Sequence, residues 1–153
     1  MKNEKSLNVL VVEDNKLNAE VLSKFIKTNA KVDNLEVQTL QEVDRVTDEI
    51  KRNEVKPHMV ILSEPSQGKI KFASEIPARI SQIKKVSPAS QVVVLSTPNK
   101  MEAILETFRS GAFDVVVKDE HASKNVVNSI HRFLNSQDEN TAFKRQRELA
   151  TAH

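Results

Sequence analysis

The 153-residue chain has no cysteine, no tryptophan, no tyrosine and only two glycines, Gly68 and Gly111. Without cysteine, disulfide staples and thiolate metal sites are both excluded. Two isolated glycines leave neither a GxGxxG turn nor a glycine loop for phosphate, which removes a nucleotide enzyme built on such a turn. An excess of either charge is also missing. Lys+Arg 23 against Asp+Glu 21 leaves a net charge of +2, and the basic residues are scattered. With no Trp or Tyr to stack on bases, nucleic-acid binding has little support. The N-terminus Met1-Lys2-Asn3-Glu4-Lys5 is charged, and the apolar run behind it is too short for a signal peptide or a membrane span. The expectation is a soluble, cytoplasmic, single-domain protein that touches no membrane.

What the chain does have is aliphatic residues in short bursts. Leu7, Val9, Leu10, Val11 and Val12 form a nearly unbroken run that suits a strand buried on both faces of a sheet. Two adjacent acids follow, Glu13 and Asp14, and a helix is expected to open at Asn15. Carboxylates at the end of a central parallel strand lie in the crevice where open α/β sheets bind ligands. They repel each other unless a cation or a lysine sits between them. At this point a simple capping role for one of them remains the alternative.

Leu17, Val21, Leu22, Phe25 and Ile26 recur at helical spacing over residues 15–29, and Leu35, Val37 and Thr39 alternate with polar residues as an edge strand does. Thr39 and Glu42 fit a capping box for a second helix, with Val43, Val46 and Ile50 on its buried stripe and Pro57 as its stop. His58 to Leu62 reads as a buried strand ending at Ser63. After the irregular stretch from Ser63 to Ala73, a third helix is expected from near Ser74, because Pro77 is tolerated in a first turn but breaks an interior. Its apolar face is Ile76, Ile80, Ile83 and Val86. Gln91 to Leu95 is the next strand, ending at Ser96. Thr97 and Pro98 read as N-cap and first residue of a fourth helix with Met101, Ile104, Leu105 and Phe108 as its stripe and Gly111 as its stop. Asp114 to Val117 is a fifth strand, ending at Lys118. A last helix carries Val126, Val127, Ile130, Phe133 and Leu134, with Ser123 as its cap. Met59, Met101 and the phenylalanines fit core positions, and the four histidines share no metal spacing.

Five strands alternating with five helices predict an α/β fold, a doubly wound five-stranded parallel sheet with helices on both faces. The domain should cover residues 1–135. Residues 136–153 are strongly polar, and read either as a tail or as a prolongation of the last helix. Functional groups should collect where the strands end, at Glu13, Asp14, Ser63, Ser96 and Lys118.

The pieces VLVVEDNKLN, VVVLST and RSGAFDVVVKD, in this order and spacing, resemble a response-regulator receiver domain, the phospho-acceptor module of two-component signalling. The resemblance covers residues 6–135 and implies the (βα)5 flavodoxin-like receiver fold. In that family an aspartate ending the third strand accepts a phosphoryl group from a partner kinase's histidine. The acidic pair and that aspartate hold Mg2+, a Ser or Thr bonds the phosphoryl oxygens, and a lysine neutralises them. Positioning and charge neutralisation carry such chemistry. By resemblance Glu13 and Asp14 match the acidic pair, Ser96 the switch hydroxyl and Lys118 the phosphate-binding lysine.

The acceptor does not carry over. Ser63 stands where the family has aspartate, and a hydroxyl brings no charge to a hard cation and cannot form an acyl phosphate. Glu64 is next door, but neighbouring strand side chains point to opposite faces, which makes it a poor substitute. Val115 stands where a mobile aromatic is expected, and Asp119 where a proline is expected. The expectation is a degenerate receiver, not an enzyme, acting as a phosphorylation-independent interaction module. It needs no cofactor and binds Mg2+ weakly, if at all, through Glu13 and Asp14. Its partners would be a sensor histidine kinase, a phosphotransfer protein or an output protein, or a second copy through the fourth and fifth helices. Lys100, Glu102, Arg109, Val115 and His131 are the candidate contacts. The alternatives are a receiver phosphorylated at a non-standard acceptor, and the receiver portion of a longer transcription regulator.

Overall fold

A computed structural model of the chain describes residues 6–64, 71–97 and 101–151, with backbone alone described at 71–74 and 138–151. In chain order the elements are β1 (Ser6–Val12), α1 (Lys16–Asn29), β2 (Asn34–Leu40), a 3-10 turn (Val43–Arg45) leading into α2 (Val46–Arg52), β3 (Met59–Ser63), α3 (Lys71–Val86), β4 (Gln91–Ser96), α4 (Met101–Arg109), β5 (Asp114–Val117) and α5 (Ala122–Thr151). The strands form one sheet in the order β2-β1-β3-β4-β5, with every pairing parallel. The direction of winding reverses between β1 and β3, so the sheet is doubly wound as the alternation of elements requires.

Two apolar cores flank the sheet. Leu7, Val9, Val11, Met59 and Ile61 pack on α1 and α5 through Leu22, Ile26, Val126 and Ile130. The alternate residues Leu10, Val12, Val60 and Leu62 pack on α2 and α3 through Val46, Ile50, Ile80 and Ile83. Strands β1 and β3 therefore need apolar residues at consecutive positions, whereas the edge strand β2 alternates. The N-cap of α1 is Asn15, whose side chain accepts from Asn18 N. No helix among the described residues is long and apolar enough to cross a membrane.

Several local expectations are corrected. Thr39 caps nothing: it lies within β2, in register with Val11, and Glu42 flanks the 3-10 turn without a side-chain capping bond. The sheet ladder claims the residue that the capping pattern assigned to a helix. Helix α3 opens at Lys71, so Pro77 sits inside it. An interior proline costs about 3 kcal/mol, but burial of a single aliphatic side chain contributes about 1.5–3 kcal/mol, and Ile76, Ile80 and Ile83 are all buried. Packing wins over the break. In α4, Met101, Leu105 and Phe108 are exposed (68%, 44% and 43%), and the buried residue is Thr107. Thr107 Oγ1 donates to Ala103 O at 2.8 Å, which satisfies its hydroxyl without a distant partner and lets the helix turn a smaller face to the sheet. Ser123 lies inside α5; Asp119 prepares that helix instead, accepting from His121 N at its carboxylate (2.8 Å) and from Ala122 N at its carbonyl (3.1 Å). His131 accepts from Lys31 N at 3.1 Å, which places it against the loop after α1 rather than beside α4 and Val115. Pro98, Lys100 and most of the irregular stretch after Ser63 lie outside the described residues. Helix α5 continues as one helix past residue 136 to Thr151.

Gly111 ends α4 with φ at +107°, and its N–H donates to Phe108 O at 3.0 Å. A Cβ there would meet Ile80 Cγ2 at 3.9 Å and Lys84 Cγ at 4.0 Å, which are ordinary contacts. Backbone strain, not space, therefore dictates glycine. Gly111→Ala is expected to lower the unfolding free energy by about 1–2 kcal/mol in urea titration, and Gly111→Asn by less, because asparagine tolerates positive φ. An alanine variant as stable as the wild type would show that the turn relaxes instead.

Candidate functional site

The parallel register lines up four strand ends. Val12 pairs with Leu62, Ser63 with Leu95 and Ser96 with Val117. Glu13, Ser63, Ser96 and Lys118 consequently meet at one edge of the sheet, as their positions in the sequence predict. Asp14 is exposed on the rim of that edge.

The four do not form one cluster. Ser63 and Glu13 make the first pair, both buried (1% and 5% exposed), with Ser63 Oγ donating to Glu13 Oε1 at 3.2 Å. The other oxygen of Glu13, Oε2, accepts from Asn15 N at 3.4 Å. Burial pushes the Glu13 carboxyl above the usual glutamate range, and the neighbouring Asp14 side chain adds to the rise. The Lys118 ammonium and the Asn15 N–H oppose it without cancelling it.

Ser96 belongs to a second group on the opposite face of the sheet. Its hydroxyl donates to Glu64 Oε2 at 3.0 Å, and the same oxygen accepts from Thr97 N (2.9 Å) and Thr97 Oγ1 (3.1 Å). Lys118 Nζ donates to the main-chain carbonyl of Glu64. Glu64 thus gathers the Ser96 hydroxyl at its carboxylate and the Lys118 ammonium at its carbonyl. The alternation argument places Glu64 correctly, away from Ser63. It overlooks that Ser96, two residues on from Val94, faces the same way; the signal was there in the parity of β4. Val115 lines a cavity of about 10 Å³ together with Glu64, Ser96, Ile104 and Thr107. That volume holds one water at most and leaves no room for an aromatic ring.

Glu13 and Asp14 offer two carboxylates for a hard cation. A third ligand at Ser63 would be a neutral hydroxyl already bonded to Glu13. Among the described residues no group of three or more acids or histidines could hold a metal ion. This donor set does not fit a tightly held Mg2+.

No family model matches the chain, and no curated protein sequence matches it. Solved structures do. The orphan response regulator HP1043 of H. pylori is 19% identical, with 86% of this chain covering 98% of that one at a TM-score of 0.67. A two-component response regulator from Clostridium difficile is 16% identical, with 85% covering 97% at 0.67. NtrX from Brucella abortus is 22% identical, with 93% of this chain covering 30% of that one at 0.70. The fold is therefore the flavodoxin-like fold of response-regulator receiver domains.

The raised affinity of Glu13 for a proton has a measurable consequence. Because the carboxyl titrates higher when folded, its favourable contribution is complete below the ordinary glutamate range and is lost as pH rises through the raised value. In EDTA, Glu13→Gln is expected to melt above the wild type at pH 7, with the difference closing by about pH 4. Glutamine keeps an acceptor for Ser63 Oγ and gives up only the long bond from Asn15 N, so the substitution removes the charge at little other cost. An equal difference at both values would mean that ionisation of Glu13 does not burden the folded state.

Proposed function

We propose that this protein is a degenerate receiver that acts in two-component signal transduction as a protein-interaction module without being phosphorylated. The single observation that carries this reading is Ser63. It sits at the carboxyl end of β3, beside Glu13 of the acidic pair, 1% exposed and with its hydroxyl donating a hydrogen bond to that carboxylate. A hydroxyl in that state is neither charged nor reachable by a phosphodonor, and phosphoryl transfer depends on positioning and charge. Two of the solved structures with this fold, HP1043 and the Clostridium difficile protein, are named as response regulators, which supports the signalling context. The partner would be a sensor kinase, a phosphotransfer protein or an output protein. A β-branched residue at position 115 has no inward and outward states to select, so the partner would meet one constitutive surface. The exposed Met101, Leu105, Phe108 and Val117 are the apolar part of that surface, and a homodimer through α4 and α5 would use the same face.

Incubation with acetyl phosphate and Mg2+ is expected to leave the intact mass unchanged. A stoichiometric gain of one phosphoryl group that disappears in Ser63→Ala would overturn the proposal and favour a receiver with a serine acceptor. Mg2+ should bind weakly, and Ser63→Asp should tighten it, because charge count governs affinity for hard cations. The third carboxylate should also lower metal-free stability, with Mg2+ restoring it by mass action. Equal Mg2+ affinity of the two proteins in titration calorimetry would remove Glu13 and Asp14 as the metal site.

A further inference from the structure

Glu64 takes no part in the reading of Ser63, and it is the most heavily bonded carboxylate at this edge. Its residue is 9% exposed, and one oxygen, Oε2, accepts from Ser96 Oγ, Thr97 N and Thr97 Oγ1 at 2.9–3.1 Å. Two hydroxyls and a main-chain amide converging on a single point make an oxyanion cradle. The direction is imposed by the sheet: Glu64 N donates to Leu95 O at 2.8 Å, so the residue continues the ladder and its side chain is delivered onto Ser96. The cavity beside it, about 10 Å³, cannot admit a tetrahedral oxyanion alongside the carboxylate.

We propose that Glu64 is an intramolecular ligand of this cradle. Its carboxylate fills the position an oxyanion would take, keeps free oxyanions out, and ties the end of β4 and the first residue beyond it into one arrangement. The buried charge is tolerated because three donors replace the water it loses. Ser96 Oγ also lies 2.9 Å from Thr97 O, so its single proton has a second acceptor when the carboxylate is gone. Removing Glu64 therefore opens the cradle without stranding that hydroxyl. The inference stands whether or not Ser63 ever carries a phosphoryl group.

The test uses the full chain as wild type, Glu64→Ala and Glu64→Ala/Ser96→Ala, with inorganic phosphate exchanged for chloride at constant ionic strength and no metal. Glu64→Ala is expected to show a saturable rise in Tm, on the order of 4 °C at tenfold excess over Kd. The wild type and the double variant should show only the small, unsaturating rise common to excluded salts. An alanine variant that responds no more than the wild type, or a wild type that binds phosphate saturably, overturns the proposal. If Glu64→Ala does not fold, Glu64→Gln decides, because it keeps the shape and removes the charge. Its Thr97 amide should exchange about tenfold faster than in the wild type, as weakening of a charge-assisted bond requires. An unchanged rate would mean that the contact does not depend on an anion.

Discussion

Successive side chains of a strand leave opposite faces of a sheet, and the chemistry at the carboxyl edge follows from where that rule puts Ser63 and Glu64. Ser63 continues the face of Met59 and Ile61, towards α1 and α5, and finds Glu13 there. Glu64 leaves towards α3 and α4, and finds Ser96. One step along the backbone thus separates two acid–hydroxyl pairs that a catalytic constellation would need to share. Lys118 stands between them, near enough to Glu13 to oppose its rise in proton affinity while bonding the carbonyl of Glu64.

The opposite edge of the sheet is fastened by hydrogen bonds between strand starts and the loops before them. His58 and Asn8 exchange two bonds, with Asn8 N donating to His58 Nδ1 at 3.0 Å and His58 N donating to Asn8 O at 2.9 Å. Ser90 Oγ donates to Pro57 O, which leaves Ser87 Oγ as the donor to Ser90 Oγ at 2.6 Å. Each net hydrogen bond of this kind contributes about 0.5–1.5 kcal/mol, and leaving a buried partner unmet costs more. The amino edge is therefore stapled by hydrogen bonds to main-chain atoms, Lys84 Nζ donating to Ser90 O at 2.7 Å among them, whereas the carboxyl edge sets acids against hydroxyls. Arg79 links α3 to the turn before α2 through Val43 O and Asp44, which ties together the two helices that cover one core.

How far the sequence predicts this arrangement depends on the range of the deciding force. Buried strands were readable because two covered faces demand consecutive aliphatic residues, as Val9 to Val12 and Val60 to Leu62 supply. The site positions were readable because parallel strands end on one side. Failures occur where a tertiary contact overrides a local preference. Thr39 had capping chemistry but was claimed by pairing with β1, and Pro77 had break chemistry but was outweighed by three buried isoleucines. In α4 the apolar periodicity is real, yet Met101, Leu105 and Phe108 face outward, because hydrophobic spacing says which residues share a face and not which face is covered. The role of Glu64 needed the register of β3 on β4, a relation between segments that no single window of residues contains.

Helix α5 is a rod out of proportion to the sheet it packs on. Its 30 residues extend about 45 Å, whereas the longest strands, of seven residues, span about 23 Å. The inner half is gripped: Asp114 accepts from Ser129 and Arg132, and Phe113 meets Phe133 edge-on at 6.2 Å. From Phe133 to Thr151 the axis runs on for about 27 Å. A tilt of roughly 10° at the grip would carry the far end about 5 Å, about the rise of one helical turn. The far end of α5 is therefore the part of the chain whose position depends most on how firmly Asp114 and Phe113 hold the inner half.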